Sequence, residues 1–139
     1  MRCWASAAIR LFQLHVPLSQ VGPLFLTHFH SDHTSGIPDV WLSGWLGGPW
    51  ARRTAPFRVI GPTGAKQLML HLAEAYKADI NTRIADEHYP AEGVRFIVDE
   101  FSAGGLVYEK DGVRHRVRSG PWRPDQPTAI ASIITAIRS

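Results

Sequence analysis

A chain of 139 residues, 45% hydrophobic and 19% charged, has enough apolar material for one folded core and too much for disorder throughout. Its pI of about 9.4 invites a nucleic-acid reading, yet residues 1–113 carry ten Lys/Arg against eleven Asp/Glu and residues 114–139 carry five Arg against one Asp, so the basicity belongs to a tail that lacks the interleaved aromatics of a stacking platform. Cys3 is alone, which excludes an intrachain disulfide and fits a reducing compartment, taken as cytoplasm, and the absence of any run of about twenty apolar residues excludes a membrane-spanning helix.

From the N-terminus, Arg10, Gln13 and His15 interrupt any apolar h-region, so a signal peptide is not expected. Ala7 to Leu14 predicts a short helix with Ala8, Leu11 and Phe12 on one side. Pro17 and the pair Gly22–Pro23 form a connector, and "LFLTH" reads as a short buried strand. A helix is expected to begin near Pro38, followed by the loop "GWLGGPWARRTAP" and a strand at "FRVIG". An amphipathic helix is expected from Thr63, as N-cap, to about Ile80, with Ala65, Leu68, Met69, Leu72, Ala73 and Tyr76 at helical spacing. After Pro90, "VRFIVDEF", "GLVYEKDG" and "VRHRV" predict three strands, with "KDG" turning a hairpin. Beyond Val117 there is no clean periodicity.

The chemistry lies at the end of the first strand, in "THFHSDHTSG", Thr27 to Gly36. Three histidines and an aspartate fall within six residues: His28, His30, Asp32 and His33. Neutral imidazoles and a carboxylate suit zinc, and also manganese or iron. On an extended segment His28 and His30 project to one side and can grip one ion, while Asp32 and His33 turn into the loop toward a second. Two ions so placed would hold a bridging hydroxide as nucleophile.

This stretch resembles the first metal-binding motif of the metallo-β-lactamase-fold hydrolases, and with Thr27, the Ser-Asp-His and Gly36 it is most similar to the ribonuclease Z and arylsulfatase-like branch. The resemblance covers residues 7–113 and includes "FRVIGPTGAKQLM". It implies an α/β chain that is the N-terminal part of an αββα sandwich, incomplete. It implies two divalent metal ions, zinc before manganese or iron, with His28 and His30 on the first, Asp32 and His33 on the second, and Asp32 assisting proton transfer. It implies metal-hydroxide attack on a small-molecule ester, a phosphodiester or RNA.

The family completes its site with a later His, a bridging Asp and a final His, and no residue after His33 matches those motifs. Two donors apiece leave both ions under-coordinated. The competing reading is therefore an inactive fragment, or a weak metal-binding module without turnover. His71, His88 and His115 read as structural or solvated. Trp41, Trp45 and Trp50 are read as core before substrate mouth, and Arg52 and Arg53 as solvated loop charges before phosphate contacts. "GPTGAK" lacks phosphate-loop spacing. Half a sandwich would leave one sheet face without a partner, so a homodimer or aggregation is expected of the isolated chain.

Residues 114–139 form an atypical basic tail that reads as a translation out of frame. Codons for "RHRVRSGPWRPDQ" can be chosen so that reading one base later gives "VTAFEVDHGDLI", a strand followed by a His ligand like that of the family's next segment. The same doubt touches "MRCWAS". Resequencing the coding DNA across codons 110–139 is expected to restore that segment by a one-base correction; an unaltered frame would make the tail genuine and the donor set truly short.

Overall fold

The computed structural model describes residues 7–48, 51–110 and 112–117. Helix α1, Ala7–Gln13, buries Ala8 and Leu11 but leaves Phe12 58% exposed. Phe12 was expected beside Leu11 on the buried side. A seven-residue helix presents only a narrow stripe to the core, and Phe12 falls past its edge. After a 3-10 turn at Leu18–Gln20, strand β1 comprises Leu24–Phe25, and the next residue prolongs the pairing through the Leu26 N–H, which donates to Ile60 O at 2.8 Å.

Ser31–Thr34 is a single helical turn, α2, and Ile37–Trp45 is α3. Pro38 sits in the first turn of α3, where its missing N–H costs nothing. Ile37, Val40, Trp41 and Trp45 are at most 1% exposed. Each indole N–H is satisfied inside: Trp41 Nε1 donates to Val94 O and Trp45 Nε1 to Pro90 O, both at 2.9 Å. Trp41 and Trp45 are thus core pieces that staple α3 to the segment before the third strand; Trp50 lies outside the described residues.

Strand β2, Phe57–Pro62, supplies the centre of a three-stranded parallel sheet of order β1-β2-β3, where β3 is Phe96–Phe101. Leu24 opposes Val59, and Phe57 opposes Phe96 in a register that continues to Pro62 opposite Phe101. The two-residue alternation sorts the faces. Phe57 and Val59 join Leu24, Leu26, Trp41 and Met69 in the main core, whereas Arg58 is exposed on the other side. On that other side Phe25 meets a hairpin made of β4 (Gly105–Lys110) and β5 (Val113–Val117). The Phe25 ring lies 5.4 Å from Tyr108 and 4.2 Å from His115, so His115 is a packing residue. Ile97 remains 51% exposed there. Residues 114–117 belong to β5; 1–6 and 118–139 lie outside the described residues, and with them Cys3 and most of the basic tail.

The long helix expected from Thr63 to Ile80 is two helices. Helix α4, Ala65–Ala75, starts after Gly64, whose φ of 105° is left-handed, so Gly64 and not Thr63 is the cap. The cap is filled from β3: Glu100 Oε1 accepts from Gly64 N at 2.9 Å and Lys66 N at 2.8 Å. A carboxylate at a helix N-terminus satisfies orphan donors and favours the dipole. Tyr76 breaks the helix, and α5, Lys77–Ala85, resumes with no buried residue, tied outside by Arg83 to Asp79 and Glu87. The strand expected from Val94 begins later, because Ala91–Val94 forms a turn of helix, α6. Among the described residues no helix is long and apolar enough to cross a membrane.

Arg53 overturns the expectation of a solvated charge, at 5% exposure. Its Nη2 donates to Trp41 O, its Nε to Gly93 O at 3.2 Å, and its guanidinium carbon lies 4.8 Å from the Phe57 ring centroid. One side chain thereby joins α3, the start of β2 and α6. Burial pushes its pKa down to about 10, still well above neutral, so the group stays charged. Gly44 and Gly93 make room for it: a Cβ at Gly93 would stand 1.9 Å from Arg53 O, and one at Gly44 would stand 2.5 Å from Nη1. The price falls on Arg52, which the backbone bonds Arg52 N–H to Leu46 O (2.8 Å) and Arg53 N–H to Gly44 O (2.9 Å) hold at a left-handed φ of 73°. That conformation costs an L-residue about 1 kcal/mol.

Arg53→Met removes donors from two buried carbonyls and is expected to cost roughly 2–4 kcal/mol of unfolding free energy. Arg53→Lys should recover little, since one ammonium cannot reproduce the planar fork. Chemical denaturation of the three proteins checks both.

Candidate functional site

The candidate residues lie just past the C-terminal end of β1, where a buried parallel strand opens into a loop. Ligand-bearing groups collect there in α/β proteins. His30 is extended, at φ −60° and ψ 144°, and serves as the residue before α2. Its carbonyl accepts from His33 N–H at 2.9 Å and from the Thr34 N–H and hydroxyl at 3.2 Å. The chain therefore runs extended through His28 and His30 and curls at Ser31, as the alternating spacing requires. The ring centroids of His28 and His30 are 4.5 Å apart and those of His28 and His33 4.2 Å, so three imidazoles are in contact.

Each member has a distinct setting. His28 is half-buried, and its Nδ1 shares a 2.9 Å hydrogen bond with the Thr27 hydroxyl, which leaves Nε2 as the nitrogen to present. Its pKa is lowered by desolvation first, then by His33 and His30, against a raising effect from Asp32. A neutral ring keeps the lone pair that a ligand or a general base needs. His30 and Asp32 are exposed. His33 Nε2 is 3.5 Å from Asp32 Oδ2, while His33 Nδ1 is buried with no hydrogen-bond partner among the described residues. A buried unpaired nitrogen costs free energy unless something occupies it.

The structure brings His28, His30, Asp32 and His33 together and leaves the other histidines elsewhere. His71 is exposed on α4 beside Gln67, and His88 is exposed before Pro90. Among the described residues no group of three or more His, Cys, Asp or Glu side chains is arranged to hold a metal ion. Two supports were not foreseen. Phe29 reaches the N-cap of α4, where a Cβ on Gly64 would sit 3.3 Å from its ring. Glu100 fixes that same helix end. Neither carries a motif, because each acts through a contact between segments far apart in the chain.

No family model matches the chain. It is similar to proteins named ribonuclease Z. That of Mycobacterium marinum is 32% identical over 126 residues, covering 91% of this chain and 44% of the relative. That of Mycolicibacterium gilvum is 31% identical over 126 residues, covering 91% and 43%. That of Mycolicibacterium paratuberculosis is 36% identical over 111 residues, covering 76% and 37%. The chain thus has a ribonuclease Z-like relationship and spans less than half the length of the curated relatives it matches.

The ring contacts make the His28 titration a direct readout. By NMR, His28 is expected to titrate below 6.5, higher in His33→Gln and lower in Asp32→Asn. The unfolded chain then holds more protons than the native one near its own pKa. The contribution of His28 to stability is complete above that value and is lost as pH falls through the depressed native pKa.

Proposed function

We propose that this chain carries half of the metal centre of a ribonuclease Z-like, metal-dependent phosphodiesterase, and is the N-terminal part of such an enzyme, with a metallo-β-lactamase-type sandwich as its complete fold. The observation that supports this is the gathering of three imidazoles and one carboxylate beyond β1, in a chain similar to proteins named ribonuclease Z over 91% of its length. RNA is the substrate class that the relatives' name suggests.

The residues fit a divalent ion in kind. The donors are imidazole and carboxylate, the His28 ring is held neutral, and His33 Nδ1 is buried and unpaired. His28 and His30 would hold one ion, and Asp32 and His33 the other. Bound zinc would supply Lewis acidity and an activated water; manganese or iron would serve the same donors less selectively. Thr27 fixes which nitrogen of His28 is presented and so acts as a positioning residue. Asp32, exposed beside His33, is placed to take up or release a proton. A second reading, a weak metal-binding module without turnover, is favoured by the lack of a three-ligand group among the described residues.

Equilibrium dialysis against Zn²⁺ or Mn²⁺, run beside an RNA cleavage assay, tests the proposal. The 139-residue chain is expected to bind metal weakly, with Thr27→Val losing about 10–100-fold in affinity and His30→Ala losing more. The half-site assignment predicts no cleavage without further donors. Robust turnover by this chain would sink it, and metal binding indifferent to His30→Ala would sink the metal centre itself.

A further inference from the structure

A second concave site lies at the opposite edge of the sheet from the histidines. Arg52 and Thr54 precede the first residue of β2, and Glu87 to Pro90 precede β3; these strands run parallel to β1, whose other end carries His28 to His33. The cavity is about 540 Å³, bounded by Trp45, Tyr89 and Pro90 on its apolar side and by Arg52, Thr54 and His88 on its polar side. That volume is within the range of small-ligand pockets, roughly 300–1,000 Å³.

Toward the described residues the polar side is uncommitted. Among the described residues the Arg52 guanidinium, the Thr54 hydroxyl and the His88 ring engage no hydrogen-bond or ion-pair partner. Glu87, the acidic residue on the rim, is already paired with Arg83 at 3.2 Å. The Tyr89 hydroxyl accepts from Gly47 N–H at 2.7 Å, and its ring lies 5.4 Å from that of Trp45 at an interplanar angle of 59°, which fixes the apolar wall. The site is therefore a firm apolar wall facing donors without a partner among the described residues, with its one carboxylate turned to Arg83, which it shares with Asp79.

The backbone adds an independent observation. Arg52 and His88, two of the three non-glycine residues with positive φ among those described, both line this cavity, at 73° and 56°. Glycine would hold either place without strain. A bulky cation kept in a conformation that disfavours it points to a use for its side chain.

We propose that this cavity binds a phosphomonoester with a flat organic body, of the class of a nucleoside monophosphate. Arg52 grips the phosphate through its planar fork, Thr54 and His88 add donors, and the body lies against Tyr89 and Pro90. The role proposed for the site is binding.

Titration calorimetry of the full chain, with chelator present to keep metal from the histidine cluster, tests this with adenosine monophosphate, adenosine and inorganic phosphate as probes. The monophosphate is expected to bind one to one, about tenfold tighter than either of the others. Arg52→Gly is expected to raise the thermal midpoint by relieving the left-handed strain and yet weaken the monophosphate at least about tenfold. Arg52→Lys should fall between, keeping the charge without the fork. His30→Ala should leave binding unchanged. The proposal is overturned by the absence of saturable binding, by adenosine or phosphate binding as tightly as the monophosphate, by Arg52→Gly retaining affinity, or by loss of binding in His30→Ala.

Discussion

The buried guanidinium of Arg53 is the constraint on which the arrangement rests. Three elements distant in sequence meet on it: the α3 carbonyl of Trp41, the α6 carbonyl of Gly93 and the ring of Phe57 at the start of β2. A buried charge is tolerated only where hydrogen bonds replace its hydration. Two neighbouring positions, Gly44 and Gly93, accordingly lack the side chain that would collide with this group or its backbone. With Arg53 in place, α3 presses its tryptophans on the segment before β3, and β2 is fixed between its neighbours. The histidine loop inherits its position from that sheet, since β1 comprises only Leu24–Phe25 and is held by β2.

Two edges of one parallel sheet then carry different chemistry. At the C-terminal edge the donors are imidazoles and a carboxylate clustered within a few residues. At the other edge they come from two loops and are held by strained backbone. Glu100 closes the N-terminus of α4, so the helix that begins within "GPTGAK" has the Gly64 and Lys66 amides occupied. Those two amides are thereby unavailable to a phosphate, in keeping with a spacing that is not that of a phosphate loop.

Much of this was legible in the sequence because it is local. The alternation His28, Phe29, His30 announced an extended segment with two imidazoles on one side, and the rings do meet. Trp41 and Trp45 read as core before substrate mouth, and both are at most 1% exposed. What was not legible depends on partners far along the chain. Arg53 looks like its neighbour Arg52 in sequence, and only the carbonyls of Trp41 and Gly93 decide which of them goes inside. The periodicity of 65–80 is continuous across Tyr76, yet the helix breaks there, and the second half only rests on the core through the partly buried Ile80 and Ile84. The cap of α4 moved to Gly64 because the carboxylate that fills it belongs to β3.

The short first strand has a consequence for the order of assembly. Leu24 must find Val59, and Phe57 must find Phe96, before the sheet exists. Parallel pairings of this kind close long loops before any contact repays them, which makes their formation slow. The histidine segment is synthesised before β2 and β3 and takes its place in the sheet only after these strands have met. During that interval its imidazoles hang on an unpaired apolar strand, open to whatever ion or chain they encounter. Their fidelity is thus decided by the speed with which the distant strands arrive.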